Sequence, residues 1–330
     1  MKYVPLGKTG PTVSALGLGA MGMSGMYGPA DRAESIATLH AALDSGITLV
    51  DTGDFYGMGH NEMLIGEALR GRDRDRVQLS VKFGAMRDPA GNWLGFDARP
   101  EAVKSALTYT LTRLGVDYID IYRPARLDPK VPIEDTIGAI ADMVQAGYVR
   151  HIGLSEVGPE TIRRAAAVHP IVDLQIEYSL LSRGIEDEIL PTLRELGIGV
   201  TAYGVLSRGL LSGSTATSPT DFRAHSPRFL GDNAGRNRRL AEALARVAAD
   251  KGMTASQAAI AWVAAQGDDI VPLIGARKRH QLEESLASRN FRLTAEDLAE
   301  IERAVPRGAA AGARYAEAQM RQLDSERKTA

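Results

Sequence analysis

Short apolar runs alternating with longer stretches of helical period occupy most of the chain, and this alternation constrains the fold more than any other feature. The runs are ITLVDT (47–52), RVQLSVKFG (76–84), DYIDIY (117–122), YVRHIGLS (148–155), VDLQIEYS (172–179), GIGVTAYG (197–204) and DIVPLIGA (269–276). They are apolar without strict alternation, the pattern of strands buried on both faces of a parallel sheet. Between them lie RAESIATLHAALDSG (32–46), RPEAVKSALTYTLTRLG (99–115), PIEDTIGAIADMVQAG (132–147) and GPETIRRAAAVH (158–169). Several of these open on Pro or an acid and close on Gly, as the first turn and the C′ position of a helix prefer. ALGLGA (15–20) supplies an eighth strand. Eight β/α units predict an α/β fold of the (β/α)8 barrel type rather than an open doubly wound sheet.

No linker divides the chain, so residues 1–330 are expected to form one barrel domain, with a polar, Ala-rich tail or loosely docked helix from about residue 307. The Gly/Pro/Ser-rich stretch 211–237 falls between a strand and a helix of the same series and reads as a functional loop. A net charge of −2 argues against a nucleic-acid partner, and the absence of cysteine excludes a disulfide framework or a thiolate metal site. No stretch approaches a membrane span and the first residues lack an apolar leader core, so a cytoplasmic protein with no membrane partner is expected. The sequence does not set an oligomeric state.

In a barrel of this type the active site lies at the C-terminal ends of the strands. Asp51, Tyr56, Lys82, Arg126, Ser155, Gln175, Tyr178, Tyr203 and Arg208 fall there. An ammonium at the barrel mouth needs a carboxylate, and Asp51 on a neighbouring strand is the partner expected for Lys82. A nearby Lys lowers a phenol's pKa, moving Tyr56 toward useful general acid chemistry. The alternative is a structural ion pair with Tyr56 as a loop aromatic. Asp54 reads as a turn or cap residue, and His60 as part of an access loop with no metal-ligand spacing around it, so no metal is expected. GARKRH (275–280) lies between a strand end and a helix start, where free amides and the helix dipole favour an anion. Arg277 with Lys278 and Arg279 suits a phosphate monoester, favouring NADP over NAD; the alternative is a solvated basic helix start. No G-x-G-x-x-G follows a strand.

LGLGAMGMSGMYG, DTGDFYG, SVKFG, IGLSE, AYGVLSRGLLSG and PLIGARKRHQLEESL occur in the order seen in aldo-keto reductases, and the chain resembles that family from about Tyr3 to about Val305. The resemblance implies a small-molecule carbonyl substrate, NADPH as cofactor, and Asp51, Tyr56 and Lys82 as three members of a catalytic tetrad, Tyr56 being the proton donor. It assigns Ser155 and Gln175 to the nicotinamide carboxamide, Tyr203 to stacking on the ring, and Gly204, Leu206, Arg208 and Gly209 to the pyrophosphate loop. Gly275, Arg277, Gln281, Glu284 and Ser285 match the 2′-phosphate and adenine segment, and Gly19, Met21 and Asp51 complete the implied cofactor contacts.

Two positions depart from the family pattern. RPARLDP puts Ala125 where the tetrad histidine is expected, and Glu156 follows Ser155 where many members carry Asn. Arg126 reads either as a contributor of a donor or as the partner of Asp128, the structural pair being favoured. Tyr178 stays open between pocket wall and packing aromatic, as do Trp93 and Phe96 between pocket and barrel rim. The replaced histidine, with ARLDP, VPIEDT, GLSEV and EYSLLSR, resembles the pyridoxal reductase branch, which makes pyridoxal one candidate substrate. The missing histidine also keeps a second reading open, an NADPH-binding regulatory or scaffold subunit.

Overall fold

The computed structural model describes residues 1–214 and 221–327. It opens on a hairpin, β1 (Tyr3–Pro5) and β2 (Thr12–Ser14), and continues through β3 (Gly17–Gly19), β4 (Leu49–Gly53) and β5 (Gln78–Phe83). A second hairpin, β6 (Ala85–Arg87) with β7 (Trp93–Phe96), precedes β8 (Ile119–Pro124), β9 (Val149–Ser155), β10 (Ile171–Glu177), β11 (Gly199–Tyr203) and β12 (Ile270–Gly275). The eight strands anticipated from sequence form a closed barrel in the order β10-β11-β12-β3-β4-β5-β8-β9, every neighbouring pair parallel. Closure leaves no unpaired edge.

Helices α1 (Arg32–Asp44), α2 (His60–Leu69), α3 (Pro100–Leu114), α4 (Ile133–Gln145), α5 (Pro159–Val168) and α6 (Ile189–Leu196) follow successive barrel strands. Two helices, α7 (Gly231–Asp250) and α8 (Ala255–Ala264), separate β11 from β12, and α9 (Arg279–Ala287) follows β12. The chain then runs through α10 (Ala295–Ala304) and the short α11 (Glu317–Met320). The sequence cues act locally as expected: Pro100 and Pro159 sit in first turns, Asp31 caps α1, and Gly115 takes the left-handed C-cap of α3. Helix α8 opens with a reciprocal capping box between Thr254 and Gln257.

The larger apolar core packs the helices on the outside of the barrel. A smaller core, Val4, Leu6 and Val13 with Leu49, Ile121, Val172, Val271 and Leu273, joins the N-terminal hairpin to the strand starts and seals that end of the barrel. Every residue in this inner layer is at most 5% exposed.

Of the two expectations for the stretch from about residue 307, a tail or a loosely docked helix, the tail is corrected over the described part, which is docked and includes α11. Residues 307–327 lie across the C-terminal end of the barrel, where Arg314 and Tyr315 are buried and Ser325 N–H donates to Glu156 O at 3.2 Å. The physical reason is that two carboxylates at strand ends, Glu156 and Glu177, need cations, and this segment brings one.

Candidate active site

The site is built from inward-facing polar side chains above the apolar floor. The side-chain period of two sends Asp51, Ser80, Lys82, Arg123, Asp173, Gln175 and Thr201 into the barrel, where they meet both between neighbouring strands and, for Arg123–Asp173 and Gln175–Asp51, across it. Asp51 Oδ1 accepts from Lys82 Nζ at 2.5 Å, while its Oδ2 accepts from Ser80 Oγ at 2.9 Å and Gln175 Nε2 at 2.7 Å. Below them Arg123 donates to Ser80 Oγ at 3.0 Å and to Asp173 Oδ2 at 2.9 Å, and Thr201 Oγ1 donates to the same Asp173 oxygen at 2.6 Å. Gly153 makes this possible, because a Cβ there would stand 2.7 Å from Asp173 Oδ1 and 2.9 Å from Arg123 Cζ.

Tyr56 lies in the loop between β4 and α2. Asn61 ties that loop to the one after β3, donating to Ala20 O at 2.9 Å and Ser24 Oγ at 2.8 Å and accepting from Thr52 Oγ1 at 2.7 Å. The Tyr56 ring packs edge-on against Phe55 at 4.7 Å, with Lys82 Nζ 5.1 Å from its centroid. Its hydroxyl has no hydrogen-bond partner among the described residues. The expected downward tuning by Lys82 is not what the surroundings do: burial first, then the Asp51 carboxylate, push the Tyr56 phenol well above its ordinary value. Lys82 is already neutralised by Asp51, and burial lowers its own pKa against the opposing pull of that carboxylate.

These groups open onto a cavity of about 510 Å³ at the C-terminal ends of the strands, within the range of small-ligand sites. Gly19 and Met21 line it after β3, Asp51 and Tyr56 after β4, Lys82 on β5, and Gln175 and Tyr203 on β10 and β11. Gly204, Leu206, Arg208 and Gly209 form one side, and Gly275, Arg277, Gln281, Glu284 and Ser285 form the wall beside α9. Trp93 and Phe96 belong to the wall too, their centroids 4.9 Å apart on the β6–β7 hairpin. Of the long loop, residues 215–220 lie outside the described residues, while Ser212, Ser214 and Arg223 reach the cavity.

Other expectations are redirected. Ser155 is buried behind the wall, its Oγ accepting from Arg126 at 3.4 Å. Glu156 is fully buried in the left-handed region (φ 54°) and does not line the cavity. Arg126 does not pair with Asp128, whose carboxylate instead accepts the Ala98 and Lys130 amides. Tyr178 is a packing residue, donating to Glu186 at 2.8 Å and lying against Trp262. Asp54 does accept a backbone amide, from Gly84 at 3.2 Å, and burial pushes its carboxyl up to about 7. His60 meets Ser24 Oγ at 3.0 Å. Within the basic run, Arg279 pairs with Glu34, whereas Arg277 donates to the carbonyls of Tyr27, Gly28 and Pro29 at 2.8, 3.2 and 3.2 Å.

Sequence reasoning missed Arg123 and the C-terminal contribution. Arg314 donates to both Glu156 oxygens, at 2.8 and 2.5 Å, and to Glu326 at 2.8 Å. Burial alone would raise the Glu156 carboxyl, but Arg314 holds it well below the ordinary range. Tyr203 OH donates to Glu156 Oε1 at 2.6 Å and lies 2.7 Å from Tyr315 OH, which makes Tyr315 part of the wall. Arg208 stacks over Tyr315 at 4.2 Å and pairs with Glu177 at 2.8 Å. The available signal was Glu156 itself, a carboxylate at a strand end with no neighbouring cation in sequence.

Among the described residues no three His, Asp or Glu side chains gather as a metal site requires, and no helix is long and apolar enough to cross a membrane.

Residues 15–306 match the sequence model described as the Aldo/keto reductase family. The probable aldo-keto reductase 1 of Glycine max is 42% identical over 317 residues, spanning 94% of this chain and 91% of that protein. The glycerol dehydrogenase AKR11B4 from Gluconobacter oxydans superposes with a TM-score of 0.83 at 26% identity, covering 99% of this chain and 98% of its own. The holo form of aldo-keto reductase AKR11C1 from Bacillus halodurans gives 0.77 at 27% identity, covering 92% and 96%.

Proposed function

The chain belongs to the aldo/keto reductase family, oxidoreductases acting on carbonyl groups with a nicotinamide cofactor, and from that premise we propose that it reduces an aldehyde or ketone with NADPH, Tyr56 giving the proton. The observation that carries this reading is the Tyr56 hydroxyl, unpartnered among the described residues, at a cavity wall beside the buried Asp51–Lys82 pair.

The residues present fit NADPH. The N-cap residue of α9 supplies no side-chain cap, and although Glu34 accepts the Arg279 amide at 2.9 Å, the helix start lies in the cavity wall beside Arg277, Gln281 and Ser285. A Cβ on Gly275 would meet nothing within 4 Å, and Gly204 and Gly209 take φ of 66° and 95°, leaving bare backbone along the cavity side. Arg277 would hold the 2′-phosphate, Tyr203 the ring, Gln175 the carboxamide and Arg208 the pyrophosphate. When bound, NADPH supplies a hydride to the carbonyl carbon.

The chain's own part is proton delivery and positioning. A phenol pushed above its ordinary pKa stays protonated through the neutral range, and it releases its proton only to an oxygen that has become strongly basic, as a carbonyl oxygen does on reduction. Lys82 sits close enough to stabilise the phenolate left behind, and Asp51, held by Ser80 and Gln175, fixes Lys82. Ala125 leaves the carbonyl oxygen without the donor expected there, an omission worth about 10²–10³ in rate by analogy with losing one oxyanion donor. Pyridoxal is one candidate substrate.

The test is NADPH oxidation followed by absorbance with pyridoxal and a panel of aldehydes, ketones and dicarbonyls. Turnover by wild type that disappears in Tyr56→Phe, while NADPH binding persists, is the expected result. Equal turnover by Tyr56→Phe removes the proton-donor assignment. NADPH binding by wild type without turnover of any carbonyl points instead to a regulatory or scaffold subunit.

A further inference from the structure

The cavity wall holds more cations than carboxylates. Lys82, Arg87, Arg126, Arg208, Arg223 and Arg277 line it, against Asp51 and Glu284. Most of the cations are committed: Lys82 to Asp51, Arg208 to Glu177, Arg223 to Asp221, and Arg277 to three backbone carbonyls. Arg87 and Arg126 remain, and neither has a carboxylate within 4 Å among the described residues.

Arg126 follows β8, which lies diametrically opposite β12 in the closed barrel, so its charge stands across the cavity from the Arg277 wall. Of its five N–H groups, Nη1 donates to Ala125 O at 2.6 Å and to Ser155 Oγ at 3.4 Å, and Nη2 reaches Tyr315 OH at 3.5 Å. The two side-chain contacts are at the limit of hydrogen-bond length, which leaves most of the planar fork unspent. Glu156, the carboxylate that acts on Arg126 most, already gives both oxygens to Arg314. Ala125, buried and small where a histidine is expected, leaves open the approach to the guanidinium. Arg87 stands on the hairpin beyond, 5.5 Å over the Trp93 ring, and among the described residues donates only to Gly91 O at 2.7 Å. Phe55, Trp93 and Phe96 supply apolar wall on the same side as these two cations.

We propose that Arg126, assisted by Arg87, binds an anionic group on the substrate, so that this chain is selective for carbonyl compounds carrying a carboxylate or phosphate on an apolar or aromatic body. This rests on the reductase reading of the same cavity. A partly desolvated guanidinium without a counter-ion is unfavourable, and an incoming oxyanion satisfies it through a bidentate pair. The reaction is unchanged: the carbonyl gains hydride and the Tyr56 proton and becomes an alcohol, while the anionic group stays intact and serves as the handle. Arg126 is then a specificity residue, and Tyr56 remains the acid.

The experiment compares kcat/KM for 4-carboxybenzaldehyde against its methyl ester, and for pyridoxal 5′-phosphate against pyridoxal, in wild type, Arg126→Met and Arg126→Lys. Wild type is expected to favour the anionic member of at least one pair by about tenfold or more, and the pair concerned tells carboxylate from phosphate. Arg126→Met should lower that ratio by about tenfold, chiefly through KM, with partial rescue in Arg126→Lys, which keeps the charge but not the fork. Equilibrium binding of benzoate and benzamide to the protein loaded with NADP gives a reading independent of turnover, and benzoate alone should weaken in Arg126→Met. Wild type that treats both members of each pair alike, or an Arg126→Met variant that loses both equally, overturns the proposal. Arg126-dependent benzoate binding without turnover of any carbonyl upholds the anion site and removes the reductase reading instead.

Discussion

Replacing Arg314 with Met tests whether the C-terminal segment is held by charge. In the native protein Glu156 is fully buried, and Arg314 engages both its oxygens at 2.8 and 2.5 Å. Burial would raise the carboxyl, yet Arg314 keeps it well below the ordinary range. A carboxyl whose folded pKa lies below its unfolded value contributes stability above about pH 4.5 and loses it as pH falls further. Without Arg314, Glu156 retains the neutral donors Ser325 Oγ, Tyr203 OH and the Glu177 amide, together with the longer-range pull of Arg126, which makes no ion pair with it. Burial then dominates, the carboxyl moves up, and its contribution changes sign, so stability now declines as pH rises through the neutral range. Breaking one side of a buried pair costs about 3–5 kcal/mol. That loss should be read in full near pH 8 and shrink near pH 5, where protonation relieves the orphaned carboxylate. Urea unfolding at the two pH values measures it, and Glu156→Gln added to Arg314→Met should recover most of the loss at pH 8. To separate release of residues 307–327 from unfolding of the barrel, tryptic cleavage at Arg307 and Arg321 is followed in parallel. A loss under about 1 kcal/mol without faster cleavage, or an equal loss at both pH values, would refute the reasoning.

Two further outcomes follow from buried groups. Asp54, with its carboxyl pushed up to about 7 chiefly by burial and its Oδ1 unpartnered, has a folded pKa above its unfolded one. Its stabilising effect is therefore greatest below about pH 4 and is lost as pH rises to about 7, a change on the order of 4 kcal/mol. Asp54→Asn should raise the unfolding midpoint at pH 8 and leave it nearly unchanged at pH 4; a gain of equal size at both would discount burial of charge as the cause. Gly153→Ala places a methyl 2.7 Å from Asp173 Oδ1 and 2.9 Å from Arg123 Cζ. A loss of about 1–3 kcal/mol in urea unfolding is expected, and an unchanged midpoint contradicts the close approach.

The barrel was legible because each strand is a short apolar run and each helix carries its own stops, so local signals agree with the global fold. Asp51, Tyr56 and Lys82 were legible for a similar reason: strand ends point at the mouth, and residues there stand apart from the apolar pattern. Arg123 was not, because its partners Asp173, Ser80 and Thr201 lie on other strands and only closure of the barrel brings them together. The Arg126 pairing was misjudged for the same reason. Asp128 is near in sequence, but it turns to the Ala98 amide. The C-terminal segment failed as a tail because composition reports average polarity, whereas one Arg and one Tyr in an Ala-rich stretch make the contacts that matter.

The apolar floor formed by Val4, Leu6 and Val13 with the strand starts has a kinetic meaning. A vessel closed at one end has a single doorway, and whatever lodges deepest must arrive first and depart last. Were the cofactor proposed above held by Tyr203 and Gln175 deeper in this cavity than the substrate, the alcohol would leave before the spent cofactor. Traffic through the barrel would then be a queue, and product-inhibition patterns would read its order directly: oxidised cofactor competing with NADPH alone, and alcohol never competing with it.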